Sequence, residues 1–135
     1  MKILFVCRAN VARSQMAEEF FNGMSKKNKA VSAGVEVKER GKMIGEISPV
    51  CVESMLEEGI NIERKKPRQI KFKEVKNADV VVLITKEGEI PDYVNKAKRL
   101  IFWDIDDPKD ENLNVFRRVR DRIKREVIKL VRGIG

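Results

Sequence analysis

The chain has 135 residues, with 29 Lys and Arg against 21 Asp and Glu for a formal charge of +8, and it contains no histidine. The missing imidazole excludes a Ser-His-Asp or Cys-His catalytic unit and any His-ligated zinc or haem, which leaves Cys, Arg, Asp, Glu, Lys, Ser and backbone amides to do any chemistry. At this length a single domain over 1–135 buries its own core, and the two cysteines, Cys7 and Cys51, are too far apart for a C-x-x-C pair or a cysteine-rich metal cluster.

Ile3-Leu4-Phe5-Val6 is a short continuous apolar run, the pattern of a strand buried on both faces of a parallel sheet. Residues 7–14 join it to a helix in which Met16, Phe20 and Met24 recur at helical spacing beside Ala17 and Phe21, with Gly23 and Lys26-Lys27-Asn28 marking its end. Residues 30–35 form a second predicted strand, and a charged, glycine-bearing loop follows over 36–46. Ser48-Pro49 then supplies an N-cap and a proline at the first helical position, Val52, Met55 and Leu56 the inner stripe, and Gly59 the stop. Residues 61–77 are basic, contain Pro67 and read as loop with a short helix near Phe72. Residues 79–85 are the clearest buried strand and 100–103 another, separated by a helix or loop that holds Pro91 and Tyr93. From Asn114 onward Phe116, Val119, Ile123, Val127, Leu130 and Ile134 fall three or four apart, an amphipathic helix of about five turns.

Strands alternating with helices predict an α/β three-layer sandwich around a four-stranded parallel sheet. Residues 114–135 hold eight basic and two acidic side chains, so most of the net charge belongs to the last helix and reads as its solvated outer face. No nucleic-acid motif or interleaved aromatic pattern accompanies it, so no nucleic-acid partner is expected. No apolar run approaches the roughly twenty residues of a membrane span, and the sparse cysteines fit a reducing compartment. The expected setting is cytoplasmic, without a membrane partner.

In an open parallel α/β sheet, ligands collect at the carboxyl ends of the strands, where helix N-termini point. Cys7-Arg8-Ala9-Asn10-Val11-Ala12-Arg13-Ser14 sits at such a place and carries a C-x5-R-S pattern. A bend there turns successive backbone N–H groups toward one point, the helix dipole adds positive charge, and a tetrahedral oxyanion fits. Arg13 offers a planar fork to two oxygens of that anion, which a lysine cannot do. The same field stabilises a Cys7 thiolate, so no histidine is needed to activate it. Ser14 is placed to donate its hydroxyl to the sulfur, and Asn10 tolerates left-handed backbone angles while its side chain ties the loop together.

Thiolate attack on a bound phosphate leaves an alkoxide or phenolate that needs a proton, so a carboxylic acid is expected at another strand end. The candidate is Asp107, in Trp103-Asp104-Ile105-Asp106-Asp107-Pro108, with Asp106 its rival. Cys51, near the apolar stripe of the second helix, reads as core, and Tyr93 and Trp103 as packing.

These features together resemble the low-molecular-weight protein tyrosine phosphatases and the arsenate reductases that share their fold. The resemblance spans nearly the whole chain: LFVCRANVARSQMAEEFF, the SAG of the second strand, ISPVCVESMLEEGINI, VVVLIT and WDIDDP. It implies Cys7 as nucleophile, Arg13 as oxyanion clamp, Ser14 as thiolate stabiliser, Asn10 as loop organiser and Asp107 as general acid. Arg8, Ala9, Asn10, Val11, Ala12, Arg13 and Ser14 then form the oxyanion-binding loop. A cysteinyl-phosphate intermediate is implied, hydrolysed with Asp107 acting as base and with neither metal nor other cofactor.

The chain departs from that pattern in several places. Ala9 stands where glycine is common, and Ala12 replaces the second loop cysteine of many members. Lys109 follows Asp-Pro where the eukaryotic-type phosphatases carry tyrosines, and the 36–46 loop lacks an aromatic residue. Both aromatic walls expected around a phosphotyrosine ring are therefore missing. The RSQMAE and WxxDDP strings look more like the arsenate reductase branch, yet residues 85–91 carry none of the cysteines that thioredoxin-coupled reductases use beyond the third strand.

The reading is a phosphomonoesterase of the low-molecular-weight protein tyrosine phosphatase type, acting on phosphotyrosine or a similar aryl or acyl phosphate. The alternative is an arsenate reductase that draws electrons from an external thiol or thioredoxin-like donor. Phosphate, arsenate or another tetrahedral oxyanion, and a phosphorylated protein in the first case, are the expected partners. A module that binds phosphate without turnover is a third reading.

Overall fold

The computed structural model describes residues 1–86 and 88–134. Four strands, β1 (Lys2–Cys7), β2 (Lys29–Gly34), β3 (Val80–Leu83) and β4 (Leu100–Phe102), form a wholly parallel sheet in the order β2-β1-β3-β4. The helices are α1 (Arg13–Met24), α2 (Ile44–Ile47), α3 (Pro49–Leu56), α4 (Phe72–Asn77) and α5 (Leu113–Ile134), with a 3-10 turn at Asp92–Lys96. The predicted three-layer α/β sandwich with four parallel strands is the fold observed.

Successive residues of central β1 feed opposite layers, which is why that run shows no polar alternation. Ile3, Phe5 and Cys7 join the core under α1, α3 and α5, whereas Leu4 and Val6 join the one that holds Val75 of α4 and Val94 of the 3-10 turn. Trp103, just past β4, is buried with its ring tilted against Phe5, centroids 5.6 Å apart, and Tyr93 meets Phe72 edge-on.

The helix ends follow local chemistry. Ser48 accepts a hydrogen bond from the Cys51 N–H at 3.3 Å, with Pro49 in the first turn of α3, and Gly59 takes a φ of 75° in the turn beyond it. α5 buries Phe116, Val119, Ile123, Val127 and Leu130 and runs 22 residues, about six turns rather than five. Among the described residues, no helix is long and apolar enough to cross a membrane.

Two expectations are corrected. The 36–46 loop is not loop throughout, because its last residues enter the one-turn helix α2, where the Ile44 N–H donates to Lys65 O at 2.8 Å and the Gly45 N–H to Glu63 O at 3.0 Å. Nor does the charge of the last helix lie wholly on its outer face. Arg120 is buried and donates to Ser54 O and Glu57, Arg117 forks onto Glu57, and Lys124 reaches Glu58. Long cationic stems border the apolar stripe and extend to α3. The guanidiniums of Arg117 and Arg120 hold the Glu57 carboxyl down at about 2.

Candidate active site

The site is built where β1 stops and α1 begins. Cys7 closes β1, and Val35 and Glu36 donate their N–H groups to Cys7 O and Arg8 O, which anchors the start of the loop to the strand beside it. Asn10 has a φ of 57°, in the left-handed region its residue type tolerates. Gly34, at the end of β2, is fitted to the loop, since a Cβ there would lie 2.7 Å from Arg8 O and 2.9 Å from Asn10 N. Among the described residues, no backbone N–H from Arg8 to Ala12 donates to a protein acceptor, although Asn10 and Ala12 are buried. Buried donors of this kind fit an anion.

The side chains complete the picture. Cys7 Sγ lies 2.9 Å from Ser14 Oγ, and Asn10 Nδ2 donates to that hydroxyl at 2.7 Å. Arg13 is 2% exposed, and its Nη1 donates to Ile84 O at 3.0 Å and Ile105 O at 2.9 Å, tying the ends of β3 and β4 to the loop. Its Nη2 stands 3.5 Å from Asp107 Oδ2. The other Asp107 oxygen accepts the Lys109 N–H at 3.0 Å, which closes the turn around Pro108 and aims the remaining oxygen inward. Asp106 is exposed and does not line the cavity over Cys7, whereas Asp107 does.

That cavity is about 260 Å³ and includes Cys7, Arg8, Ala9, Val11, Ala12 and Arg13 in its wall. Ile47, Ser48 and Phe116 form one side, and Glu36, Lys38, Glu39, Lys109 and Asp110 the charged rim. Arg8 and Lys38 both pair with Glu36, at 3.1 and 3.3 Å, and hold its carboxyl below the usual range. Asn10 and Ser14 lie beneath, bracing the loop rather than lining the cavity.

Cys51 is a separate matter. Its thiol is fully buried in α3, donates weakly to Val11 O at 3.8 Å, and is pushed up to about 12 by burial and by the neighbouring Cys7. It is core, as read from its place on the helix.

Sequence reasoning missed Gln15, Glu18, Ser32 and Lys65, which brace the loop from behind. Gln15 Nε2 donates to Asn10 O and Oδ1, both at 3.2 Å, and Ser32 Oγ accepts from Asn10 Nδ2 at 3.0 Å. The SAG string of the second strand carries Ser32 and Gly34, and nothing local in it marks their contact with the loop.

The sheet order and the cysteine-bearing loop at its carboxyl end define a class, the α/β enzymes of the cysteine-dependent phosphatase fold. The chain belongs to the low molecular weight phosphotyrosine protein phosphatase family, whose model matches residues 2–135. It is 33% identical over 139 residues to the glutaredoxin arsenate reductase of Synechocystis sp., covering 99% of this chain and 98% of that protein. A solved structure of an arsenate reductase in the phosphate binding state is 30% identical with a TM-score of 0.84, covering 99% of this chain and 98% of its own. The low molecular weight protein tyrosine phosphatase of T. tengcongensis is 28% identical with a TM-score of 0.82, covering 98% and 99%.

Proposed function

We propose that the chain is an arsenate reductase that uses Cys7 as nucleophile and an external thiol as electron donor. The observation that carries this reading is the cavity, whose rim is charged, with Phe116 the one aromatic side chain among its lining residues, while its floor offers the loop amides and Arg13 for a bare oxyanion. Relatives named arsenate reductase support it along the full length of the chain.

The Cys7 thiolate, stabilised by the Ser14 hydroxyl, attacks arsenic, so that an S–As bond forms and one As–O bond breaks. The departing oxygen leaves as water, with Asp107 supplying a proton. An external thiolate then attacks the Cys7 sulfur, an S–S bond forms, and the electron pair of the S–As bond passes to arsenic, which leaves as arsenite. A second external thiol attacks the mixed disulfide and expels the Cys7 thiolate. Two thiols are thereby oxidised to one disulfide for each As(V) reduced to As(III). Cys51 is not placed as the second thiol: it is fully buried in α3 against Val11 O, and burial pushes its thiol up.

One observation favours a second reading, phosphomonoester hydrolysis. Asp107 faces Arg13 from the mouth of the cavity, where a carboxylic acid can protonate a leaving oxygen and then activate water against a cysteinyl-phosphate.

Arsenite release with glutathione as donor, measured beside hydrolysis of p-nitrophenyl phosphate, separates the two. The proposal expects thiol-dependent arsenite release that is lost in Cys7→Ser and kept in Cys51→Ala. Phosphate ester turnover without arsenate turnover, with glutathione and with a dithiol protein donor, moves the second reading ahead. If neither substrate reacts while inorganic phosphate still binds, the loop is a binding site without turnover.

A further inference from the structure

A chain of buried polar contacts runs from Cys7 away from the cavity and ends on a charge. Ser14 Oγ is 2.9 Å from Cys7 Sγ; Asn10 Nδ2 donates to Ser14 Oγ at 2.7 Å and to Ser32 Oγ at 3.0 Å; Ser32 Oγ donates to Glu18 Oε1 at 2.9 Å. The other oxygen of Glu18 pairs closely with Lys65 Nζ, which also reaches Glu19 Oε1 at 2.7 Å. Asn10, Ser14 and Ser32 are all buried, and Lys65 and Glu18 are only partly open to solvent.

The directions along this chain are forced by what each group can give. An ionised carboxylate only accepts, so the Ser32 hydroxyl donates its proton to Glu18 and keeps its lone pairs for Asn10. Both N–H bonds of the Asn10 amide are then committed, one to each serine. Its oxygen is committed too, accepting from the Arg68 N–H at 2.8 Å and from Gln15 at 3.2 Å, so the amide cannot turn over. Ser14 Oγ accepts from Asn10, which leaves its own hydrogen for the sulfur. A donor aimed at sulfur favours the thiolate.

We propose that Glu18, paired with Lys65, is a positioning residue that fixes the polarity of the Ser32–Asn10–Ser14 chain and thereby the reactivity of Cys7. The ammonium is suited to the task. Burial works against its charge, but hydrogen bonds to Glu18 and Glu19 outweigh that and hold Lys65 above the ordinary lysine value. Its backbone is pinned as well, because Lys65 O accepts the Ile44 N–H. Arg8, Arg13 and Asp107 at the cavity and Cys51 behind the loop act on Cys7 from the other sides, and Glu19 acts on Lys65, so the variants below leave those groups in place.

The inference rests on Cys7 being the reacting thiol, and the test reads that thiol without any substrate. Iodoacetamide alkylation is followed at Cys7 by peptide mass across pH for wild type, Glu18→Gln, Ser32→Ala, Lys65→Met and Lys65→Arg. Glu18→Gln, Ser32→Ala and Lys65→Met are each expected to move the midpoint of the profile up by roughly half to one pH unit, lowering the rate below the midpoint about three- to tenfold. Lys65→Arg, which keeps the charge, is expected to retain the wild-type profile. Wild-type profiles in Glu18→Gln and Lys65→Met overturn the proposal, and so does a Lys65→Arg profile displaced as far as that of Lys65→Met, because shape rather than charge would then be responsible. Failure of both arsenate and phosphate ester turnover alongside the expected alkylation shifts would overturn the functional reading and leave the polarity chain standing.

Discussion

Cys7 and Cys51 are buried alike and belong to one core layer, yet different groups surround them. Around Cys7 stand a hydroxyl, a loop of uncommitted amides and a guanidinium; Cys51 meets apolar side chains and one distant carbonyl. Burial raises the second thiol to about 12 because nothing replaces the water it lost. Two equally buried thiols of one core layer thus differ in the donors aimed at them and not in how much of them solvent can reach.

The comparison breaks first at Cys7 itself. Cys7→Ser is expected to lower arsenate reduction and phosphate ester hydrolysis by at least about 10³-fold, and residual turnover near wild type would remove the cysteine from the mechanism. Arg13→Lys keeps the charge and loses the fork, and a drop of about 10²–10³-fold in turnover is expected, together with weaker binding of inorganic phosphate by calorimetry. Asp107→Asn is expected to cost about 10²-fold with a poor phosphate leaving group and much less with p-nitrophenolate; equal losses with both would deny it a proton-transfer role.

The smallest effect belongs to Cys51. Cys51→Ala is expected to leave turnover within about threefold while lowering folding stability by about 1–2 kcal/mol in urea unfolding. Its pH signature is more telling. The folded thiol stays neutral to about 12 while an unfolded cysteine releases its proton near 9.0, so the unfolded state binds fewer protons between those values. Stability from Cys51 is complete below pH 9 and is lost as pH rises toward 12. The alanine variant should flatten that alkaline decline, and an unchanged slope would show that the thiol is not shielded as described.

Much of this was legible in the residues because local patterns carried it. The apolar run of β1, the Ser48-Pro49 start of α3 and the stripe of α5 each state their element within a few positions. The C-x5-R-S string and the Asp-Pro turn fall at strand ends once the alternation of strands and helices is read. What escaped was non-local. Glu18, Ser32 and Lys65 are ordinary polar residues separated by fourteen to forty-seven positions; the parallel pairing of β1 with β2 places Ser32 behind Asn10, and the contacts of Lys65 with Ile44 and α1 place the other two. Arg120 escaped for a related reason: its charge looked like part of a solvated face until α3 supplied Ser54 O and Glu57.

The edge formed by β4 has a consequence of its own. Only three residues long, it shows Leu100 and Phe102 to solvent at 40% and 50%, a combination that invites a second strand to lie alongside. Lys96, Lys98 and Arg99 immediately precede it, and their like charges repel any copy of the same strand that approaches in register. This edge is thereby guarded against edge-to-edge aggregation by its shortness and by three cations.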